Sequence, residues 1–132
     1  MTKYLGVDYG AKRVGVAVSN DKGTIAFPRE VIPNDKKLIS HIVGIIESEK
    51  IGMVVMGDPR STNSKDNPVT SEAERFAREL GARVKIPIKY AFEMWSSMEA
   101  SRYSKKGSEH DDSAAASIIL QRFLDMRADD AR

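Results

Sequence analysis

The opening segment of the chain, TKYLGVDYGAKRVGVAVSN, constrains the fold more than any other stretch. Tyr4, Leu5 and Val7 carry bulky side chains typical of a half-buried strand. In Val14–Ser19, valines alternate with small residues, the period-of-two pattern of a strand with one apolar face. The segment therefore predicts two paired strands, with Asp8 near the end of a central one. Because a carboxylate there is costly unless a cation meets it, Asp8 is the first functional candidate.

The composition is that of one globular domain. The 132 residues are 41% hydrophobic and 30% charged, which excludes a disordered chain, and the net charge is only +2. The absence of cysteine excludes disulfides and thiol catalysis and agrees with a cytoplasmic location. No apolar run approaches the roughly 20 residues of a membrane span, so no membrane association is expected. Any nucleic-acid binding must depend on local basic pairs such as Lys12–Arg13 and Lys105–Lys106.

Apolar runs and turn signals predict an α/β fold with a five-stranded mixed sheet flanked by helices. TIAFPREVIP is interpreted as a third strand, and Pro28 within it indicates a sheet edge, because proline cannot donate to a central ladder. IGMVVMG is the continuous apolar run of a buried parallel strand, and RVKIPIKYAF is the fifth strand. An antiparallel three-strand meander followed by right-handed crossovers places the first strand beside the fourth, mid-sheet.

Two helices are expected between the later strands. Asn34 is predicted to cap the first, which carries an apolar stripe at helical spacing to about Lys50. Pro68 begins the second, which is expected to run to about Leu80 before Gly81 ends it.

Two further helices are expected after the fifth strand. Ser96 and Glu99 form a capping box for a short helix, and DDSAAASIILQRFLDM forms the last one. The small residues of the last helix allow it to approach the sheet closely. These elements predict a single domain over residues 1–126 and a flexible tail over residues 127–132.

Acidic residues are expected to converge at one end of this sheet, where the parallel strands end. The first, fourth and fifth strands end near Asp8, Asp58 and Glu93, and Asp112 opens the last helix. Oxygen ligands without nitrogen or sulfur partners suit Mg²⁺ or Mn²⁺. Two such ions roughly 4 Å apart can activate a water and stabilise the leaving oxygen of a phosphodiester. Taken singly, an acid at a strand end is more often a turn residue or a helix cap than a metal ligand.

Other catalytic chemistries have no support in the sequence. His41 lies in a predicted helix and His110 in a linker, so a zinc site is not indicated. No serine lies in a nucleophile elbow, and Walker and Rossmann phosphate motifs are missing.

The chain resembles the YqgF family over nearly its whole length. This family comprises bacterial ribonuclease-H-like proteins described as Holliday junction resolvases and as pre-16S rRNA nucleases. GVDYGAKRVGVAVS is similar to the family's opening D-x-G and K-R-x-G-x-A segment, VVMGDP to its G-L-P, and DDSAAASIILQRFLD to its closing D-S-x-A-A-x-x-I-L-Q. The resemblance implies a ribonuclease-H-like fold, divalent-metal nuclease activity and a cytoplasmic role in maturing the 5′ end of pre-16S rRNA. It also implies that the catalytic, metal-binding acids are Asp8, Glu93 and Asp112.

The chain departs from the family pattern around two of its acids. Where the family has D-E-R-x-(S/T)-T, this chain has FEMWSS, which keeps Glu93 and the hydroxyls but loses an Asp and an Arg. Methionine cannot replace the bidentate phosphate contact of an arginine. Asp58 stands where leucine is usual in G-L-P, and is either a ligand of a second metal ion or a cap of the loop toward Arg60.

Candidates for substrate contact surround these acids. Lys12 and Arg13 follow Asp8 and match the family, although a solvated hairpin tip is the alternative explanation. Gly10 is expected to allow the φ of the turn and to let phosphate approach the backbone. Basic loop residues suit sequence-independent contact with phosphates. The remaining candidates are Arg60, Ser96, Lys105 and Lys106.

The leading hypothesis is a metal-dependent nuclease acting on structured RNA as a monomer or a weak homodimer. A Holliday junction resolvase is the first alternative, but it needs a two-fold dimer and the sequence has no obvious apolar dimer stripe. A catalytically weak nucleic-acid-binding module is the second, because of the changes beside Glu93. A nucleotide-binding protein is the third, since actin-like kinases hold phosphate with D-x-G hairpins, but these usually need two such domains.

Overall fold

The alternating residues of the opening segment form two paired strands, and six further elements follow them. A computed structural model of the protein describes residues 2–57, 68–90 and 112–130. In chain order, the elements of these residues are β1 (Tyr4–Tyr9), β2 (Arg13–Ser19), β3 (Ala26–Pro33), α1 (Leu38–Glu49), β4 (Met53–Met56), α2 (Pro68–Val84), β5 (Ile88–Tyr90) and α3 (Asp112–Asp130). The short helix expected from Ser96 lies outside the described residues.

The described strands form one five-stranded sheet in the order β3-β2-β1-β4-β5. β1 pairs antiparallel with β2 and parallel with β4, while β2 pairs antiparallel with β3 and β4 parallel with β5. The predicted mixed sheet, with the first strand beside the fourth, is therefore confirmed. The edge position predicted from Pro28 is also confirmed, and a bulge between Val16 and Ala17 of β2 leaves Arg29 as the extra residue of β3.

Helices cover both faces of the sheet, because successive strand residues point to opposite sides. On one face, Leu5 and Val7 of β1 pack with the apolar stripes of α1 and α2, which include the fully buried Ile42 and Leu80. On the other face, Tyr4 of β1 and its neighbours pack against α3. The α3 residues of this second core are Ala116, Leu120, Phe123 and Leu124.

The close approach predicted for the last helix is present, and glycines of the strands contribute to it. A Cβ built on Gly6 would lie 2.8 Å from the Leu120 Cβ, and one built on Gly57 would lie 2.8 Å from the Ile119 Cδ1. Side chains at these two positions would push α3 away from the sheet.

The start of α1 differs from the prediction that Asn34 caps it. The helix begins at Leu38, and Lys37 occupies the N-cap position without a side-chain hydrogen bond. Asp35 instead accepts the Lys37 backbone N–H on its Oδ1, at 2.9 Å. The Asn34 side chain is engaged elsewhere, because its Nδ2 donates to the Gly10 carbonyl at 2.8 Å.

The ends of the two later helices also differ from the sequence prediction. Gly81 does not end α2, which continues to Val84 and closes at Lys85, where φ is 56° and the N–H donates to the Gly81 carbonyl. A glycine inside a helix costs only about 1 kcal/mol, and packing of Val84 against the first core offsets it. α3 continues beyond the predicted end near Met126 to Asp130.

Candidate functional site

The carboxyl ends of the three parallel strands, β1, β4 and β5, lie side by side at one end of the sheet. Val7 of β1 is the partner of Met56 in β4, and Met56 is the partner of Tyr90 in β5. The Gly57 N–H extends the first pairing by donating to the Val7 carbonyl at 3.0 Å. Asp8 follows Val7 directly. It therefore lies near the carboxyl end of β1, the central strand of the sheet, as predicted.

Two of the other predicted acids follow the neighbouring strands along the chain. Asp58 comes directly after Gly57, and Glu93 comes shortly after Tyr90. Both lie outside the described residues, and so do the substrate-binding candidates Arg60, Ser96, Lys105 and Lys106. Both acids follow strands whose carboxyl ends lie beside the carboxyl end of β1. That their side chains lie close to Asp8 stays a prediction.

The orientation of α3 relates Asp8 to the fourth predicted acid. Tyr4 of β1 contacts Phe123, with ring centroids 6.0 Å apart, and the Arg127 guanidinium lies 5.3 Å from the Tyr4 ring centroid. Gly6, two residues further along β1, lies against Ala116 and Leu120. The helix therefore runs antiparallel to β1.

The antiparallel packing of α3 on β1 also indicates which part of α3 lies over Asp8. Asp8 shares the α3 face with Gly6, because strand residues alternate between faces. Two strand residues advance about 7 Å, which corresponds to four or five helical residues. We infer that the first turn of α3, which begins at Asp112, lies over the Asp8 end of β1. Helix direction could not be read from the sequence, since it depends on which ends of the two elements pack together.

The hairpin after Asp8 presents two cations to solvent. Lys12 and Arg13 are exposed, and Gly10 is half-buried. The expectation that Gly10 supplies an unusual φ is wrong, because among the described glycines only Gly23 has a positive φ. Gly10 is required for a different reason: a Cβ there would lie 2.5 Å from the Arg13 carbonyl oxygen, so only glycine lets the hairpin close this tightly.

Asn34 is a functional candidate that the sequence prediction missed. Its side chain donates to the Gly10 carbonyl at 2.8 Å, and its backbone N–H donates to the Lys12 carbonyl at 2.9 Å. These two bonds fasten the end of β3 to the hairpin that follows Asp8. Because Asn34 and Gly10 are far apart in sequence, no local pattern indicated the contact.

A groove of about 780 Å³ lies between the start of α1 and α2. Tyr9 of β1 lines it and packs against Phe76 of α2, with ring centroids 5.2 Å apart. Tyr9 faces the α1–α2 side of the sheet, whereas Asp8 faces α3. The ionisable residues that line the groove carry both signs of charge: Asp35, Lys36, Glu72, Arg75, Glu79 and Arg83. The groove thus opens on the face of the sheet opposite to the one that Asp8 faces, and the ionisable residues that line it give it no clear charge preference.

The described residues alone do not contain a complete metal site. No group of three or more acidic or histidine side chains among them is close enough to hold an ion, because the residues predicted to complete the set with Asp8 lie largely outside the described ranges. His41 contacts Glu30 of β3 through its Nε2, at 3.0 Å, which supports the alternative of a structural surface histidine. His110 lies outside the described residues.

Comparison with known proteins identifies the family that this chain matches. The family model described as "RuvX: Holliday junction resolvase" matches residues 2–126. A Maridesulfovibrio salexigens protein named "Putative pre-16S rRNA nuclease" is 37% identical over 131 residues, covering 92% of this chain and 97% of its own length. A Bordetella avium protein of the same name is 37% identical over 127 residues, covering 94% of this chain and 95% of its own length.

Solved structures agree with the predicted ribonuclease-H-like fold. Thermus thermophilus RuvC in complex with a Holliday junction substrate superposes with a TM-score of 0.63 at 11% identity, over 97% of this chain and 96% of RuvC. The fowlpox virus Holliday junction resolvase superposes with a TM-score of 0.53 at 13% identity, over 96% of this chain and 99% of its own. At these identities the likeness establishes the fold alone. Together with the match over residues 2–126, these findings confirm the resemblance seen in the opening and closing motifs, and the chain belongs to the RuvX (YqgF) family of Holliday junction resolvases.

Proposed function

We propose that the protein is a divalent-metal-dependent nuclease that hydrolyses phosphodiesters of structured RNA, and that it matures the 5′ end of pre-16S rRNA in the cytoplasm. The observation that carries the proposal is the position of Asp8, at the carboxyl end of the central strand and on the face covered by α3. The names of relatives that match more than nine-tenths of the chain support the choice of substrate. No helix of the described residues is long and apolar enough to cross a membrane.

The residues available for the site fit Mg²⁺ or Mn²⁺. The chain has no cysteine, and His41 is paired with Glu30, so the donors that the strand ends can offer are carboxylate oxygens. Asp8, Glu93 and Asp112 would hold the metal, with Asp58 as a further candidate. When bound, two such ions supply water activation and stabilisation of the leaving oxygen.

The residues of the hairpin would orient the substrate. Lys12 and Arg13 are exposed within a few residues of Asp8, where their charges can bind the phosphates beside the scissile bond. Gly10 keeps the turn narrow, so a phosphate can approach the backbone. The loss of the family's arginine after Glu93 makes these two cations more important for binding in this chain.

A junction resolvase is the second candidate, and it requires a two-fold dimer. The description of the family favours it. The structure also exposes apolar side chains that the sequence did not reveal as a stripe, namely Ile25, Phe27, Val31 and Ile118. Pro28 and the bulge at Arg29 interrupt the β3 edge, however, and such features oppose strand-to-strand pairing. A monomer or a weak homodimer is therefore proposed.

One assay tests the proposal and its alternatives. The protein is incubated with an rRNA precursor, a four-way DNA junction and ATP in Mn²⁺, beside Asp8→Asn and the control Asp21→Asn. Asp21 is exposed in the turn after β2, at the opposite end of the sheet. We expect wild type and Asp21→Asn to cut the RNA at a defined position, and Asp8→Asn to be folded but slower by more than about 100-fold.

Other outcomes would contradict the proposal. Cutting of the junction in preference to RNA would indicate a resolvase, and binding without cleavage would indicate a catalytically weak binding module. Hydrolysis of ATP alone would indicate a nucleotide-binding protein. Cleavage that survives Asp8→Asn would remove Asp8 from the site.

A further inference from the structure

Four exposed cations lie in two loops at the end of the sheet where β1 ends. One of them, Lys36, also lines the groove of mixed charge beside Tyr9. Lys12 and Arg13 lie in the hairpin after Asp8, and Lys36 and Lys37 lie in the turn between β3 and α1. We call these four residues the basic rim. The chain as a whole has a net charge of only +2, whereas the two loop segments, residues 10–13 and 34–37, carry four positive charges and one negative charge, that of Asp35. Local clustering of this kind is the electrostatic mark of a phosphate-binding surface.

The two halves of the rim are fixed to each other. The Cα partner of Arg13 in β3 is Pro33, and the next residue, Asn34, bonds to the Gly10 and Lys12 carbonyls. The position of the β3–α1 turn is thus set by contacts with the hairpin that follows Asp8. The two loops that carry the basic rim are therefore held in a fixed position relative to each other.

The turn that carries the lysines is itself ordered by hydrogen bonds. Asp35 Oδ1 accepts the Lys37 N–H at 2.9 Å, and the Asp35 carbonyl accepts the Leu38 N–H at 3.1 Å. The Asp35 carboxylate is the one acid of the turn, and this bond holds it against the backbone. The turn therefore presents its lysine side chains from a defined backbone.

Lys36 and Lys37 differ from two cations elsewhere in the described structure. Lys3 and Arg29 both form ion pairs with Glu49, at 2.7 and 2.9 Å. Within the described part of the chain, no carboxylate pairs with Lys36 or Lys37 at this distance. As far as the described residues are concerned, their ammonium groups are available for an external anion.

We propose that Lys36 and Lys37 form a second phosphate-binding element, which holds the sugar–phosphate backbone of the substrate beside the scissile phosphate. This inference rests on the proposed nuclease function. Gly10 is two residues from Asp8, at most about 7 Å of chain, and the lysine turn is bonded to Gly10. The turn is therefore held close to Asp8, and a strand whose scissile phosphate lies at Asp8 can extend onto it. Contacts of this kind position a strand without reading its sequence.

The test compares two double variants that remove equal charge. Lys36→Gln/Lys37→Gln alters the rim, and Lys22→Gln/Lys50→Gln removes two exposed lysines that follow β2 and α1, at the opposite end of the sheet. Binding of the rRNA precursor is measured as a function of salt with a chelator present, so that no cleavage occurs. Each phosphate contact contributes about 0.7–0.9 to the slope, that is, to the steepness with which the logarithm of the binding constant falls as the logarithm of the salt concentration rises. The rim variant should therefore lose between about 1.4 and 1.8 of the slope, and the control none.

Cleavage provides the second readout. At subsaturating RNA in Mn²⁺, the rim variant should show a KM raised about tenfold and a nearly unchanged kcat, because the lysines bind the flanking strand rather than the reacting atoms. A rim variant with the wild-type slope and KM, in a wild type that binds and cuts RNA, would overturn this inference alone. Equal losses in both double variants would also overturn it, since they would reflect net charge only. A wild type that neither binds nor cuts nucleic acid would overturn the proposed function and this inference together.

Discussion

Gly6 of β1 lies directly under Leu120 of α3, and there is no room for a side chain between them. A Cβ on Gly6 would lie 2.8 Å from the Leu120 Cβ and 3.1 Å from the Ala116 carbonyl oxygen. This contact sets the height of α3 above the sheet. Because Asp8 is two residues further along the same face, the contact also sets the height of the first turn of α3 relative to Asp8.

We expect Gly6→Ala to destabilise the fold by about 1–3 kcal/mol, because the added methyl forces α3 outward and the Ala116 backbone cannot yield easily. Gly44→Ala is the matched control: Gly44 lies within α1, and a Cβ there meets nothing within 4 Å. The control should stabilise the protein by about 0.5–1 kcal/mol, through helix propensity alone. Urea unfolding measures both changes. Equal stability of Gly6→Ala and wild type would contradict the close packing of α3.

The bond from Asn34 to Gly10 yields a second prediction. Asn34→Ala removes the side-chain donor and leaves the Gly10 carbonyl without it, at a cost of about 1 kcal/mol. The hairpin that carries Lys12 and Arg13 should become looser. We expect a KM for RNA raised several-fold and a shallower salt dependence of binding, since the rim would no longer be fixed.

Asn20→Ala is the control for Asn34→Ala. Asn20 also orders a turn with its side chain, whose Oδ1 accepts the Thr24 and Ile25 backbone N–H groups at 2.8 and 3.0 Å. That turn follows β2, at the end of the sheet away from Asp8. Asn20→Ala should lose at least as much stability in urea, because it removes more side-chain hydrogen bonds, and should keep the wild-type KM. Equal effects of the two variants on KM would mean that Asn34 acts through stability alone.

The sheet could be predicted from the sequence because its signals are local. Alternation in Val14–Ser19 defined β2, and Pro28 placed β3 at an edge. The position of β1 beside β4 followed from general rules of chain connection rather than from any residue. These features require no knowledge of distant contacts.

Long-range contacts decided the features that the sequence prediction got wrong. An asparagine before a helix can cap it or bond elsewhere, and the Gly10 carbonyl decided the outcome for Asn34. A glycine near the end of a helix can terminate the helix or lie within it. The helix continues through Gly81, because Val84 packs against the first core. The need for glycine at position 10 was foreseen, but its cause was the Arg13 carbonyl rather than φ.

The candidate site was predictable in part for the same reason. Asp8, Gly10 and the two cations after them lie in one continuous segment, so their proximity follows from the hairpin itself. The relation of Asp8 to the start of α3 depends on helix direction, which only the packing of Tyr4 and Gly6 reveals. Lys36 and Lys37 join the site through Asn34, a connection that no spacing in the sequence indicates.

The ion pairs at the far end of the sheet predict a pH dependence of stability. The hydrogen bond from Lys3 lowers the pKa of Glu49 below its usual value of 4.5; burial opposes this, and the charges of Lys3 and Arg29 add to it. Since the folded pKa is lower than the unfolded one, the contribution is complete above about pH 4.5 and is lost as the pH falls through the lowered pKa. Glu49→Gln should therefore cost about 1 kcal/mol at pH 7.

Urea unfolding between pH 3 and pH 7 measures this difference. The gap between wild type and Glu49→Gln should close as the pH falls below 4.5. Glu47→Gln is the control, because Glu47 is an exposed residue on the same helix. A gap for Glu49→Gln that stays constant across this range would show that the carboxylate charge contributes nothing.

Asp58 provides the last prediction, which concerns the number of metal ions. The Gly57 N–H donates to the Val7 carbonyl, so Gly57 lies beside the Val7–Asp8 segment, and Asp58 is the next residue of the chain. A carboxylate that starts there can supply a second ion with an oxygen ligand that the usual leucine cannot. Asp58→Asn should weaken Mn²⁺ binding by about tenfold and reduce the number of ions bound from two to one.

Titration calorimetry with Mn²⁺, in the absence of RNA, separates a ligand from a loop cap. Asp21→Asn serves as the control, because Asp21 is exposed in the turn after β2. If Asp58 only caps the loop toward Arg60, its replacement by asparagine should preserve the cap, since asparagine caps as well as aspartate, and Mn²⁺ affinity should match that of the control. A lowered affinity in Asp58→Asn with unchanged urea stability is expected instead, because a metal ligand contributes little to the fold of the metal-free chain and much to the binding of the ion.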